Sequence, residues 1–259
     1  MEARDINRRE ILRYLGARSG QRDEAVERLV EDCIGELFAQ TRPRHIVRQF
    51  PLTLGADGEI DGGCFRTRSR NLYKNLRDCG QILVFAATLG TGADQLIRRY
   101  SLLEMSRAVV LQAVSAAMIE EYCDQVCGQL REEYEGQGWF LRPRFSPGYG
   151  DFPLACQTAL LDGLEAGKRI GIKLTDSLLM MPSKSVTAVM GLSRRPGRCL
   201  VSGCEACSKT DCAYRRQTAG SDAGMEERKL QNGNGRTEMT EKRNDNGNFR
   251  GDEKTPSVL

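Results

Sequence analysis

The longest helical stretch in the chain, from about Leu103 to Glu133, restricts the fold more than any other segment. Its middle, Ala108 to Ile119 (AVVLQAVSAAMI), is almost wholly apolar and rich in small residues. A helix apolar around most of its circumference belongs in an interior. Small side chains let neighbours approach closely, so this helix is expected to be central and tightly packed. Its C-terminal half turns acidic at Glu120, Glu121 and Asp124. An acidic run usually marks a solvated face, but Glu120 and Asp124 lie four apart and share one side.

The second constraint is the loop Arg144-Phe-Ser-Pro-Gly-Tyr149, continued by Gly150, Asp151, Phe152 and Pro153. Pro147 and Pro153 each fix φ, while Gly148 and Gly150 permit backbone angles closed to other residues. The loop is therefore shaped, with a cationic fork at Arg144 and an aromatic hydroxyl at Tyr149 flanking its first turn. Leu154, Leu160, Leu161 and Leu164 then predict a helix ending near Gly167 or Gly171. SLLMMPSKSVTAVMGL follows, two short runs broken at Pro182-Ser183-Lys184, which reads as a β-hairpin.

Loop, helix and hairpin in this order resemble the reactivation domain of cobalamin-dependent methionine synthase. In that family an R-x-x-x-G-Y loop binds S-adenosylmethionine, and Arg144, Gly148 and Tyr149 match it. A later T-[DE]-S…M-x-P-x-x-S-V motif is met by Thr175, Asp176, Ser177, Met180, Pro182, Ser185 and Val186. The resemblance covers most of 1–216 and is strongest between about Leu111 and Leu192. It implies an α+β fold, a twisted antiparallel sheet with packed helices. It also implies a methyltransferase component, not self-sufficient, that presents S-adenosylmethionine to inert cob(II)alamin. One electron from a flavodoxin-like donor and one methyl from S-adenosylmethionine would regenerate methylcobalamin. Arg144 would take the ligand's carboxylate, Ser146, Gly148 and Tyr149 would line the loop, and Glu120 would face the positive end. The sequence carries no homocysteine, folate or cobalamin module. The expected partner is therefore a separate corrinoid protein, or a methionine synthase lacking this domain. Gly150-Asp151-Phe152 departs from the Pro-Ala-Cys of the bacterial fused enzyme, so Asp151 could add a contact or repel one.

The rest of the chain supplies the frame. Residues 5–17 and a stretch from Asp23 both read as amphipathic helices, the second with Cys33 on its apolar face. His45 to Leu54 reads as a strand ending in the turn Gly55-Ala-Asp-Gly58. Ser69 caps a helix predicted to run to about Cys79, and Ile82 to Ala87 (ILVFAA) has the composition of a buried strand. The following Thr88-Leu-Gly90-Thr-Gly92 lacks both nucleotide-binding fingerprints and reads as a plain turn. His45 is the only histidine. Any Ser-His or Cys-His chemistry would have to run through it.

Four cysteines, Cys199, Cys204, Cys207 and Cys212, follow in the order C-x4-C-x2-C-x4-C. Thiolates this close suit zinc or an iron–sulfur cluster. A rival reading therefore makes the chain a cysteine-cluster metalloprotein that moves electrons on the same scaffold. A combined reading lets the cluster deliver the reducing electron, and a third leaves a non-catalytic interaction module. Residues 217–259 hold too little apolar surface to offset ordering entropy and read as a disordered tail. The expected organisation is a binding domain over 1–198, a cysteine-rich extension over 199–216 and the tail. A net charge of +3 without a basic stripe argues against nucleic acid, and no run approaches the ~20 apolar residues of a membrane span. The charged N-terminus and ten cysteines without a signal peptide point to the reducing cytoplasm.

Overall fold

The computed structural model describes residues 1–16 and 23–196; the Cys199–Cys212 segment and the 217–259 tail lie outside them. The fold is α+β. A 3₁₀ turn, Ala3–Asp5, precedes α1 (Arg8–Tyr14) and α2 (Glu24–Gln40), and Asp23 caps α2 by accepting from the amides of Ala25 and Val26. β1 (Arg44–Pro51) leads through β2 (Thr53–Leu54), β3 (Glu59–Asp61) and β4 (Arg66–Arg68) to α3 (Arg70–Leu76) and β5 (Cys79–Thr88). α4 (Thr91–Leu103), α5 (Met105–Glu135) and β6 (Phe140–Leu141) follow. The chain closes through α6 (Cys156–Gly163), α7 (Ala166–Arg169), β7 (Lys173–Leu174), β8 (Met180–Met181) and β9 (Ser185–Ser193).

The main sheet has the order β1-β5-β9-β6 and is antiparallel at every pairing. β5 and β9 occupy its centre, and period-two alternation splits their side chains between two cores. Leu83, Phe85, Ala87, Ala188, Met190 and Leu192 face α1, α2, α4 and α5. Ile82, Val84, Ala86 and Val189 face the opposite way, onto α3, α6, α7 and the small β2-β3-β4 sheet. The ILVFAA run is continuously apolar because both faces of its strand are covered.

α5 is the central helix expected from the sequence, 31 residues long and buried along most of its Ala108–Ile119 middle, with Val109 and Gln112 on an exposed side. The helical stretch nevertheless breaks at Glu104, whose extended backbone ends α4 and begins α5. Glu104 stands at the N-cap position of α5, where its carboxylate accepts from the side chains of Ser106 (Oγ) and Arg107 (Nε) and from no amide of the helix. Three further expectations need correction. α3 stops at Leu76 and Cys79 begins β5, because Arg77 leaves the helical region at ψ 137° and Asp78 follows at a positive φ of 65°. The helix after the loop is two pieces, since Glu165 adopts a left-handed φ of 52° between α6 and α7; Leu154 precedes both and is 42% exposed. The stretch from Ser177 to Leu192 is not a hairpin with itself. β8 pairs with β7, and β9 pairs with β5 and β6. Among the described residues no helix is long and apolar enough to cross a membrane.

Candidate functional site

The Arg144 loop is anchored at its root by the main sheet. After β6 the chain continues along β9. Arg142 donates its amide to Gly191, and Phe145 and Val189 exchange both backbone hydrogen bonds at 2.9 Å. Alternation then decides the directions. Phe145 packs into the core on the α3–α6 side, while Arg144 reaches the other way, to α5. There its Nη2 donates to Asp124 Oδ1 at 2.6 Å and Glu120 Oε2 at 3.2 Å. The guanidinium side chain is only 18% exposed. Burial works against its charge, but neighbouring Cys123, Glu120, Cys127 and Asp124 outweigh burial and hold the pKa above its ordinary value. Arg144 is a permanently charged, largely sheltered cation between a rigid loop and the central helix.

The tip of the loop folds back on itself. Tyr149 N donates to Ser146 O, Gly148 N to Phe152 O and Phe152 N to Tyr149 O. Gly148 sits at φ 90°, where a side chain would be strained. Pro147 is buried, Ser146 half-buried, and Tyr149 is 69% exposed with its ring toward solvent. Two further ties lock this shape. Phe152 is buried between the rings of Phe65 and Phe145. Asp151 crosses to the start of α3, accepting from Ser69 Oγ at 2.5 Å, Arg70 N at 2.7 Å and Asn71 N at 3.1 Å. Ser69 is itself the cap of α3, donating to Asp151 while accepting from Leu72 N. Asp151 thus adds a structural contact and is spent on it.

The second motif lies next along the chain and is structural in the contacts it makes. Thr175 Oγ1 bonds Ser177 Oγ and accepts the amide of Leu179, closing the β7–β8 turn. Asp176 is exposed. Ser185 Oγ donates to Pro182 O and shares a hydroxyl–hydroxyl hydrogen bond with Thr88 Oγ1, tying the start of β9 to β5. Gln157, which sequence reasoning missed, is buried and joins three elements. Its amide donates to Leu178 O and its oxygen accepts from Thr187. The available signal was a polar side chain three and four positions before Leu160 and Leu161, and so on their face of α6. Asp124 was visible as a neighbour of Glu120, but its bond to Arg144 depends on a loop 20 residues away.

The other chemistry-bearing groups are packing residues. His45 Nδ1 lies 2.8 Å from Tyr122 Oη and its ring stacks on Phe85, with burial lowering its pKa. Burial pushes the Cys33 thiol up to about 11 and raises Cys64, Cys79, Cys123 and Cys127 as well. Such thiols are poor nucleophiles at neutral pH. No metal-holding group of His, Cys, Asp or Glu occurs among the described residues. A concavity of about 450 Å³ lies at the small sheet, lined by Pro51, Thr53, Asp61, Gly63, Cys64, Phe65 and Arg66. Its lining includes none of Glu120, Arg144, Ser146, Gly148 and Tyr149.

Residues 74–198 match the family model of the activation domain of vitamin B12 dependent methionine synthase. Among solved structures, the crystal structure of the MetH reactivation domain bound to AdoHcy aligns with a TM-score of 0.51 and 19% identity. The alignment covers 68% of this chain and 67% of that one. At that identity the likeness establishes the fold, and the matched segment contains Glu120, Asp124, the Arg144 loop and the Thr175–Val186 motif. Residues 74–198 thus carry the sequence signature of the activation domain of vitamin B12 dependent methionine synthase, on a fold similar to that of the reactivation domain.

Proposed function

We propose that this chain binds S-adenosylmethionine and supports reductive methylation of cob(II)alamin carried by a separate corrinoid protein. The observation that carries the reading is Arg144 held against Glu120 and Asp124, beside a loop fastened to β9 and α3. An amino-acid headgroup needs a guanidinium for its carboxylate and an acid for its ammonium, and this site supplies both within hydrogen-bond distance. The family match, and the AdoHcy held by the structural neighbour, support the reading.

When bound, S-adenosylmethionine supplies a methyl group on a sulfonium, which reaches the corrinoid together with one electron from a flavodoxin-like donor. The chain's own part is to bind and orient. Arg144 takes the carboxylate and Glu120 the ammonium. Ser146 and Gly148 offer a close backbone edge, and the exposed ring of Tyr149 offers an aromatic face to the positive sulfur. Asp151 and Phe152 hold the loop in that shape without touching the ligand. The partner is a corrinoid protein or a methionine synthase lacking this domain, and the setting is the cytoplasm. A metal at Cys199, Cys204, Cys207 and Cys212 is an alternative electron source.

The test is calorimetric titration of S-adenosylmethionine into wild type, Arg144→Ala and Arg144→Lys, with thermal melts to confirm folding. A charge-assisted contact of about 1.5–3 kcal/mol predicts a loss of about ten- to hundred-fold for Ala. Lys restores part of it, because it keeps the charge without the fork. Wild type that fails to bind at millimolar ligand, with and without a corrinoid protein, overturns the reading.

A further inference from the structure

The hydrogen bonds that Arg144 makes to described residues all leave from one nitrogen, Nη2. That nitrogen is the one a ligand needs. A carboxylate gripped by two parallel N–H groups takes either Nη1 with Nη2 or Nε with Nη2, so both grips include it. Glu120 and Asp124 already share Nη2, and they share it unequally. Asp124 is nearer, at 2.6 Å against 3.2 Å, and its side chain is 55% exposed against 35% for Glu120.

We propose that Asp124 is a built-in stand-in for the ligand's carboxylate. It fills the Arg144 fork while the site is empty and swings into water when a ligand carboxylate arrives. The proposal rests on the ligand-site reading above and adds a control on its affinity and selectivity. The physical case has two sides. Arg144 is too sheltered to be left unpaired, because a desolvated guanidinium without an acceptor is strongly unfavourable. A stand-in therefore keeps the site formed. Asp124, in contrast, is exposed enough to rehydrate at small cost, and among the described residues its carboxylate bonds to Arg144 alone. Glu120 is the more sheltered acid and stays to meet the ammonium. A compound without a carboxylate has nothing to offer Arg144 in exchange and leaves Asp124 in place.

This account makes an opposite-sign prediction for two ligands. S-adenosylmethionine carries a carboxylate beside its two positive groups; its decarboxylated analogue carries the positive groups alone. In Asp124→Asn the competitor for Arg144 is gone. S-adenosylmethionine should bind about five-fold tighter, the scale of a partly exposed ion pair. The decarboxylated analogue loses a distant attractive charge and gains nothing, so its binding should be unchanged or weaker. Asp124→Ala should repeat the pattern, which guards against an effect peculiar to the amide. The measurement is calorimetry with both ligands on wild type, both Asp124 variants and Arg144→Ala, each checked by thermal melting. If the variants bind S-adenosylmethionine no tighter than wild type while Arg144→Ala binds it more weakly, the stand-in is wrong and the site reading survives. Tightening of both ligands alike also overturns it, since that shows improved access and not a released carboxylate site. If no protein in the series binds S-adenosylmethionine, the stand-in and the site reading fall together.

Discussion

Asp151→Asn isolates the tie between the candidate ligand loop and α3. The native carboxylate accepts at 2.5, 2.7 and 3.1 Å from the Ser69 hydroxyl and the amides of Arg70 and Asn71. An asparagine keeps one acceptor oxygen and no charge, so at least one of these bonds is lost and the others lose their charge assistance. Removal of a capping acceptor costs about 0.5–2 kcal/mol. Asp151 is exposed and Ser69 still accepts from Leu72 N, so a value near the middle, ~1 kcal/mol, is expected. In a chain of this size that lowers the melting temperature by roughly 2–4 °C. The pH dependence is a second, independent reading. The Asp151 carboxyl pKa is held below its ordinary value, first by the Ser69 hydroxyl and then, against burial, by the amides of Asn71 and Arg70. A depressed pKa means that the unfolded chain takes up the proton first. The contribution is therefore complete above the ordinary aspartate pKa of about 3.9 and disappears as pH falls through the folded value. Melts of wild type and Asp151→Asn should differ by a constant amount from neutral pH to about pH 5 and converge on further acidification. Equal melting temperatures at neutral pH would refute the tie, and so would a gap that survives full protonation.

Other predictions concern the rest of the loop and the chain beyond it. Phe152→Ala removes a ring buried between Phe65 and Phe145; urea unfolding should show a loss of about 3–5 kcal/mol, and a loss below ~1 kcal/mol would mean that the ring is not part of the core. Protein purified without oxygen should contain iron or zinc held by Cys199, Cys204, Cys207 and Cys212. Elemental analysis should find that metal absent when Cys204 and Cys207 become Ser, and metal-free wild type with freely titrating thiols would remove the metalloprotein reading. Truncation after Arg216 should leave melting temperature and ligand affinity unchanged, and a marked drop in either would show that 217–259 contributes to the fold.

What could be read from the sequence was local. Asp23 and Ser69 cap their helices as their side chains suggest, because a capping residue acts within three positions of itself. The Gly55–Gly58 turn joins β2 to β3, and ILVFAA is a central strand, each legible from a few adjacent residues. Errors arose where a distant partner decides. Met180 and Met181 have the composition to pair with the run after Pro182, yet Lys173 and Leu174 pair with them, and β9 is claimed by β5. Leu154 fits a helical apolar stripe, but α6 begins only at Cys156, so that leucine is left in solvent. The same contrast divides the candidate site. Arg144, Gly148 and Tyr149 were visible as a motif. The role of Asp151 depends on Ser69, 82 positions earlier, and that of Asp124 on a loop that returns to α5.

The exchange of backbone bonds between Phe145 and Val189 gives the loop two different clocks. Val189 lies in a strand paired on both sides, and amides in such positions exchange with deuterium only when the whole sheet opens. Phe145, although it belongs to a loop, donates its amide into that strand and inherits the slow exchange. Four residues on, the amide of Tyr149 is held only by the turn oxygen of Ser146 and opens with the turn itself. A ligand that closes over the tip would therefore slow Tyr149 and leave Phe145 as it was. Slowing at Phe145 would instead report a gain in the global stability of the domain.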